Sequence, residues 1–350
     1  MWLCGYVVMW LNFKKKININ DYNIKNSKWK YSIFSFLKKW YNNYDYIKIY
    51  TSGTINTKKS ISIKKEYMIN SVEITNYFFK LKKNSKFLLC LYADNIAGKM
   101  FLVRAIVLFC KVYCVPPSSN PLKNIYSSFD FSCMVPMQVI NSFNKIEKIN
   151  NILIGGSYLS SFLKKKLINV SSNCYYSYGM TESLGHIAIK KINGNNIDNY
   201  YRKFPKLNIS VDNRSCLKIF YSKIMNKPIQ TNDIVNIIDD NYFEYIGRYD
   251  YIINTGGIKI NPEKVEKILI PFIKKRFFIS SIPDDILGEK LILIIEGFPC
   301  LIHIKHNFFF KKKKFLKPKK IFFIKKFFET SSGKIKRLFI KNLLLKKIIT

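Results

Sequence analysis

Apolar residues along this chain come in short runs broken by glycine, proline and charge, and the period of the runs changes part-way. Phe87–Leu91 (FLLCL) is a continuous apolar run of strand length, which predicts a buried strand. Lys99–Phe109 predicts a helix with Met100, Val103, Ile106 and Val107 on one apolar side. Lys111–Val115 is a second short run, stopped by Pro116 and Pro117. Asn151–Ile154 (NILI) is a third, ended by Gly155–Gly156. Buried strands alternating with helices predict a largely parallel α/β sheet.

Beyond about residue 205 the pattern differs. Ile234–Asp239 and Tyr242–Ile246 read as two strands joined by a tight turn at Asp240–Asn241. Asn261 suits a helix N-cap, Pro262 the first helical position and Glu263 the positive end of the helix dipole. Val265, Ile268 and Leu269 give that helix an apolar face. Residues 311–326, rich in lysine and phenylalanine, alternate too poorly to assign. The N-terminal MWLCGYVVMWLNFKKK holds about twelve mostly apolar residues, short of the ~20 a spanning helix needs. Its lysines follow the apolar run, the reverse of a secretory signal, so a buried first strand or helix and a cytoplasmic protein without a transmembrane segment are expected.

Composition changes this picture little. A chain of 350 residues can bury one large core or fold as two domains. With 48% hydrophobic and 16% aromatic residues it is no disordered polyelectrolyte. The net charge of +37 would ordinarily raise nucleic acid or an acidic membrane as a partner. Here the basic residues are nearly all lysine and accompany heavy use of Asn, Ile, Tyr and Phe, types that share A/T-rich codons. Base composition therefore accounts for the charge, no RNA-binding signature accompanies it, and no nucleic-acid partner is expected. Eight scattered cysteines without a CxxC pair, and only three histidines, predict buried free thiols and neither a zinc site nor a disulfide framework.

Four segments could carry chemistry. Tyr50–Ser60 (YTSGTINTKKS) surrounds Gly53 with the hydroxyls of Thr51, Ser52 and Thr54, so that backbone N–H groups can approach a phosphate. It is not a Walker A loop, and a plain Ser/Thr turn explains it equally. Tyr176–Ser183 (YSYGMTES) sets a ring, a hydroxyl (Thr181) and a carboxylate (Glu182) on one short segment able to meet a phosphate and magnesium, or else forms a strand-to-helix turn with a capping Thr. Thr231–Glu263 places Asp233 and Arg248 at strand edges, suited to two ribose hydroxyls. A surface hairpin with a salt bridge would account for that pair but not for the ordered glycines Gly247, Gly256 and Gly257. Ser331–Arg337 (SSGKIKR) puts the flexible Gly333 before Lys334, one basic residue among 59.

Taken in order, the four segments resemble the signature motifs of the adenylate-forming superfamily of acyl-CoA synthetases, luciferases and peptide-synthetase adenylation domains. TSGTINTKK keeps Thr51, Ser52, Gly53, Thr54 and Lys59 of a loop that reads roughly TSGTTGxPK, and YGMTES resembles the adenine and magnesium motif. TND stands where the family has TGD, GRYDYIINTGGIKINPEKVE resembles the hinge motif, and SSGKIKR the segment with the catalytic lysine. The stretches IAGKMFLVRAIVLFCKVYCVPPSSNPL and NILIGGSYLS are most similar to compact bacterial o-succinylbenzoate–CoA ligases of menaquinone synthesis.

The resemblance implies a large N-terminal domain of layered α/β sheets, residues 1–249, and a small mobile α+β domain, residues 250–350. It implies ATP, Mg2+ and CoA with a small carboxylic acid, o-succinylbenzoate or another aromatic or medium-chain acid, and admits a homodimer. Lys334 would bridge carboxylate and α-phosphate, Thr181 would contact phosphate and Glu182 would bind magnesium. Tyr178 and Gly179 would meet adenine, Asp233 and Arg248 would hold the ribose, and Gly155 and Gly156 would join the nucleotide site. Asp250 would be the pivot, and Gly257 would lie in the loop brought to the pantetheine channel. Arg104 is open to two readings, a structural salt bridge or a partner for a second substrate carboxylate. Ile55, Asn56 and Lys58 depart from the phosphate loop's Thr, Gly and Pro, and Asn232 replaces a glycine. No His stands in Asp94–Ile96, and the chain before the loop is much shorter than in most relatives. These departures leave open a degenerate relative that binds nucleotide without turnover.

Overall fold

The computed structural model describes residues 8–15, 17–18, 22, 27–50, 60–302, 315–330 and 333–349. The chain divides into two compact units, residues 1–208 with 220–229, and residues 209–219 with 230–350.

In the first unit the elements follow as β1 (Met9–Asn12), α1 (Lys28–Trp40), β2 (Tyr46–Tyr50), β3 (Ser60–Lys64), α2 (Lys65–Phe79), β4 (Lys86–Leu89), α3 (Ile96–Val107), β5 (Lys111–Cys114), β6 (Phe129–Met134), α4 (Pro136–Asn141), β7 (Ile149–Ile154), α5 (Ser161–Leu167), β8 (Asn173–Met180), β9 (Gly185–Lys191) and β10 (Tyr201–Lys203). Its sheet runs β1-β5-β4-β6-β7-β8-β9-β10. The strands β5, β4, β6, β7 and β8 are parallel to one another. Both faces of this parallel centre are covered, which is why FLLCL and NILI carry no polar alternation. Leu88, Ile152 and Ile154 pack with Leu163 and Leu167 of α5. The expected strands and helix are present, with α3 starting three residues before Lys99.

The apolar N-terminal run contributes an edge strand. Met9 and Leu11 of β1 are buried and the strand pairs antiparallel with β5. No helix among the described residues is long and apolar enough to cross a membrane.

Helix α3 is buried on more than one side, every residue from Met100 to Ala105 included. Arg104 therefore lies inside the unit. Its Nη2 donates to Thr75 Oγ1 at 2.8 Å and its guanidinium lies 5.4 Å from the Phe131 ring centre. It forms no ion pair among the described residues, so the salt-bridge alternative for Arg104 is replaced by a hydroxyl and an aromatic face. The thiols of Cys90, Cys110, Cys133 and Cys174 are pushed up to about 12, chiefly by burial, which suits packing residues and not nucleophiles.

The second unit contains β11 (Asn208–Val211), β12 (Cys216–Phe220), β13 (Ile229–Ile237), β14 (Tyr242–Arg248), β15 (Ile253–Thr255), β16 (Ile258–Ile260), α6 (Pro262–Leu269), β17 (Phe277–Asp284), β18 (Gly288–Glu296), β19 (Lys320–Ile324) and α7 (Arg337–Ile349). Strands β14, β13, β12 and β11 lie side by side, and a second sheet runs β16-β15-β18-β17 with β19 parallel to β18. Strand β18 is buried on both faces. Leu291, Leu293 and Ile295 meet Val265 and Leu269 of α6, while Ile292 and Ile294 meet Ile340 and Leu344 of α7. Helix α6 begins where the sequence predicts, with the Asn261 side chain accepting from the backbone N–H groups of Glu263 and Lys264.

An ion pair ties α6 to α7. Arg337 donates both terminal nitrogens to Glu266, at 2.7 and 2.9 Å, and Glu266 also accepts from Ile279 N at 2.9 Å. Glu266→Ala would strand a mostly buried guanidinium and a backbone donor. Because water still reaches both partners, a cost of about 2–3 kcal/mol is expected, below that of a fully buried pair. Urea denaturation of Glu266→Ala beside Glu266→Gln checks it, the glutamine retaining an acceptor for Ile279 N and losing less.

Candidate active site

In the first unit the site residues gather at the carboxyl ends of β7 and β8, where open parallel sheets present loops to ligands. Gly155 follows β7 directly, and its N–H donates to Met134 O at 3.1 Å. A Cβ on Gly155 would stand 2.3 Å from Ser177 Oγ, and that hydroxyl donates to Ile154 O at 3.1 Å. Gly156 has φ +84°. The two strand ends thus approach as closely as a missing side chain allows.

Strand β8 continues through Tyr178 and Gly179. The Tyr178 ring is 8% exposed and stands 5.6 Å from that of Tyr201. A Cβ on Gly179 would lie 1.8 Å from Gly185 O and 2.5 Å from His186 Cα, because β9 returns immediately alongside. The segment that could have opened a helix is the turn of an antiparallel β8–β9 hairpin. Leu184 N donates to Thr181 O at 3.1 Å. The fully buried Ser183 hydroxyl accepts from Met180 N at 3.1 Å and reaches Gly185 O at 3.1 Å. This bracing from inside leaves Thr181 half-buried and Glu182 exposed at the tip.

The donor set at that tip fits magnesium in one way. Among the described residues no group of three His, Cys, Asp or Glu side chains could enclose a metal ion. A single exposed carboxylate would hold Mg2+ jointly with phosphate oxygens and water, the usual arrangement for this ion.

The second unit gathers a polar cluster at the end of β14. Asp233 and Arg248 are directly opposed across β13 and β14. Arg248 Nη1 donates to Asp233 Oδ1 at 3.3 Å and Nη2 to Asp250 Oδ2 at 2.6 Å. Asn232 Nδ2 donates to the other Asp250 oxygen at 2.8 Å, and Arg214 Nη1 donates to Asn232 Oδ1 at 3.2 Å. Burial opposes the Arg248 charge, but the hydrogen bond to Asp250 and the charges of Asp233 and Asp250 more than offset it.

Glu263, which the sequence marks only as a dipole partner, buttresses this cluster from behind. It accepts from Arg248 N at 3.0 Å and from the Tyr245 hydroxyl at 3.2 Å. Burial pushes its carboxyl above the usual range. Gly247 makes the approach possible, since a Cβ there would stand 2.3 Å from Glu263 Oε2 and 2.4 Å from Asn261 Nδ2. The motif spelling NPE contained both side chains. Only the fold reveals that they close on Gly247.

Gly256 and Gly257 form the turn between β15 and β16 with φ +55° and +79°, a pairing suited to a two-residue hairpin. Gly257 has open space where a Cβ would be. Lys334 is exposed after a tight turn. Thr330 N donates to Lys334 O at 2.8 Å, Lys334 N to Thr330 Oγ1 at 3.1 Å, and Gly333 N to Thr330 O at 2.9 Å with Gly333 at φ +78°. The expected phosphate-loop residues Thr51, Ser52, Gly53, Thr54 and Lys59 lie outside the described residues.

No protein-family model matches the chain. Among curated proteins it is similar to 2-succinylbenzoate–CoA ligase of Lactococcus lactis, 24% identical over 315 residues that cover 83% of this chain and 70% of that protein. Among solved structures it is similar to an acyl-CoA synthetase (AMP-forming)/AMP-acid ligase II-like protein of Dyadobacter fermentans. That match has 28% identity and a TM-score of 0.64, covering 96% of this chain and all of the other. The o-succinylbenzoate CoA synthetase of Bacillus subtilis, solved with ATP and magnesium, shares the fold at a TM-score of 0.69 and 16% identity over 84% of this chain and 69% of that one.

Proposed function

We propose that this chain, whose homologues and structural neighbours are AMP-forming acyl-CoA ligases, adenylates a carboxylic acid with ATP and transfers the acyl group to CoA in the cytoplasm. The observation that supports it most is the opposed Asp233–Arg248 pair, with Asp250 bonded to the same guanidinium two residues on. Such a pair presents a carboxylate acceptor and guanidinium donors side by side, the complement of two vicinal hydroxyls. The acid in this reading is o-succinylbenzoate, supported by the IAGKM…VRA stretch and by the lactococcal relative.

Two anions must meet in the first step, so charge is the main barrier, and preorganised cations and dipoles lower it. A carboxylate oxygen attacks the α-phosphorus, and the bond from that phosphorus to the pyrophosphate oxygen breaks. Lys334 neutralises charge between carboxylate and α-phosphate, and the Thr181 hydroxyl donates to a phosphate oxygen. Magnesium, when bound, supplies Lewis-acid neutralisation of the phosphates, and Glu182 is the residue that holds it. Asp233 and Arg248 bind the ribose. Tyr178, a buried ring beside Tyr201, packs on adenine, while Gly155 and Gly156 and the loop Thr51–Lys59 complete the nucleotide site.

In the second step the CoA sulfur attacks the acyl carbon, and AMP leaves with the electron pair of the acyl–oxygen bond. The small domain from residue 250 onward turns about Asp250 between the steps. Lys334 withdraws, and the Gly256–Gly257 turn meets the pantetheine arm. Alternation of this kind assembles two sites in succession.

The protein incubated with ATP, Mg2+, CoA and a panel of carboxylic acids should form AMP and a thioester only when an acid is present, with o-succinylbenzoate the best substrate. Preference for another aromatic or medium-chain acid would correct the substrate. ATP binding without AMP from any acid would overturn the catalytic reading in favour of a nucleotide-binding relative.

A further inference from the structure

Asn232 occupies the position at which the motif has glycine, and its side chain is not idle. It sits between two charged groups in a continuous chain of hydrogen bonds within the second unit. Arg214, itself held by Asp212 at 2.9 Å, donates to Asn232 Oδ1, and Asn232 Nδ2 donates to Asp250 Oδ1. Arg248 takes the remaining Asp250 oxygen and reaches on to Asp233. Both carboxylate oxygens of Asp250 are thus bound from the β13–β14 side. Arg214 also lies 5.0 Å from the ring centre of Tyr249, the neighbour of Asp250.

Asp250 lies in the short turn Tyr249–Tyr251, through which the chain leaves β14 for β15. Any change in the backbone angles of that turn must carry the carboxylate with it. Arg248 could follow, since it is only two residues away and its long side chain is flexible. Asn232 cannot follow, because it is fixed in the middle of β13 and has a short side chain. Its amide is the tie that resists rotation, and a glycine there could make no such tie.

We propose that Asn232 is a brake on the turn at Asp250, a positioning residue that stabilises one hinge arrangement and slows exchange between the two half-reactions. The inference rests on the ligase reading for its catalytic consequence but not for the restraint itself. A charge-assisted hydrogen bond at a half-exposed position is worth about 1 kcal/mol, equivalent to about a fivefold bias between two arrangements.

The test is Asn232→Gly in the full chain, with amide hydrogen exchange as the first readout. Ile252 N–H donates to Tyr249 O at 3.1 Å across this turn, and its exchange should quicken about fivefold while exchange in β17 and β18 stays unchanged. Acid-dependent ATP–pyrophosphate exchange and thioester formation from supplied acyl-adenylate are then measured separately. Their ratio should move three- to tenfold, with ATP affinity within twofold of the parent. Asn232→Ser, able to donate but shorter, should fall between the two. Unchanged exchange at Ile252 overturns the proposal. So does faster exchange with an unchanged ratio, or a parallel fall in both rates with weakened ATP binding, which would assign Asn232 to the nucleotide site. Faster exchange in a protein that makes no AMP from any acid upholds the restraint and removes the ligase reading instead.

Discussion

Replacing Lys334 by alanine is expected to lower acid-dependent AMP formation by a factor of about 10²–10³, the range seen when one preorganised charge-stabilising group is removed from an active site. ATP binding should change by less than about threefold, because in this reading the ribose and adenine are held by other residues. Thioester formation from supplied acyl-adenylate should also remain near the parent rate, since the lysine is withdrawn in that step. This split distinguishes a catalytic lysine from one of the many that serve only solubility. The turn before Lys334 is made by bonds to the backbone and hydroxyl of Thr330 and by the positive φ of Gly333, none of which uses the lysine side chain. Lys334 is exposed, and exposed substitutions usually change stability little, so the folding midpoint should stay within about 2 °C. Lys334→Arg keeps the charge and should recover part of the rate. A variant equally active in both half-reactions would remove Lys334 from the mechanism.

The sequence was most legible where one cause acts alone. FLLCL and NILI appear as β4 and β7 because strands covered on both faces need only be apolar. Asn261, Pro262 and Glu263 mark the start of α6 because capping is local chemistry between neighbours. The Asp233–Arg248 pairing was legible as a salt-bridged hairpin, since residues at nearly equal distances from a tight turn meet across it.

Elsewhere the deciding contacts come from distant chain. YGMTES spells a strand end followed by a Thr suited to capping, and only the return of β9 against Gly179 makes it a hairpin tip. Arg104 reads as a charge seeking a carboxylate. Its actual surroundings, Thr75 and Phe131, lie 29 residues before and 27 residues after it, on α2 and β6. Glu263 had a sufficient local explanation as a dipole partner, which hid its bonds to Tyr245 and Arg248. A signal was present in that case. The glycine of GRYD precedes the arginine at a strand position where glycine weakens the strand, and such a residue marks close approach by another part of the chain.

The same reasoning predicts the largest loss of stability among these substitutions. Gly179→Ala should destabilise the first unit by about 4 kcal/mol, at the upper end of overpacking costs, because the obstacle is backbone and cannot rotate aside. The added methyl would sit 1.8 Å from Gly185 O and 2.6 Å from Gly185 C. Separating β8 from β9 there would also pull Gly185 from the Ser183 hydroxyl that braces the turn. Thr181 and Glu182 ride on that turn, so AMP formation should fall by at least tenfold even at temperatures where the variant is folded. Gly257→Ala supplies the control. Its Cβ meets nothing within 4 Å, and the only penalty is a positive φ of 79°, about 1–2 kcal/mol. Urea unfolding of the two variants side by side tests the contrast in stability, and an AMP assay of Gly179→Ala below its midpoint tests the loss of activity. Equal destabilisation would mean that β9 yields to the added methyl at a cost no larger than that of the positive φ at Gly257. A Gly179→Ala protein of parental stability would show that β9 does not pack against Gly179 as closely as the hairpin requires.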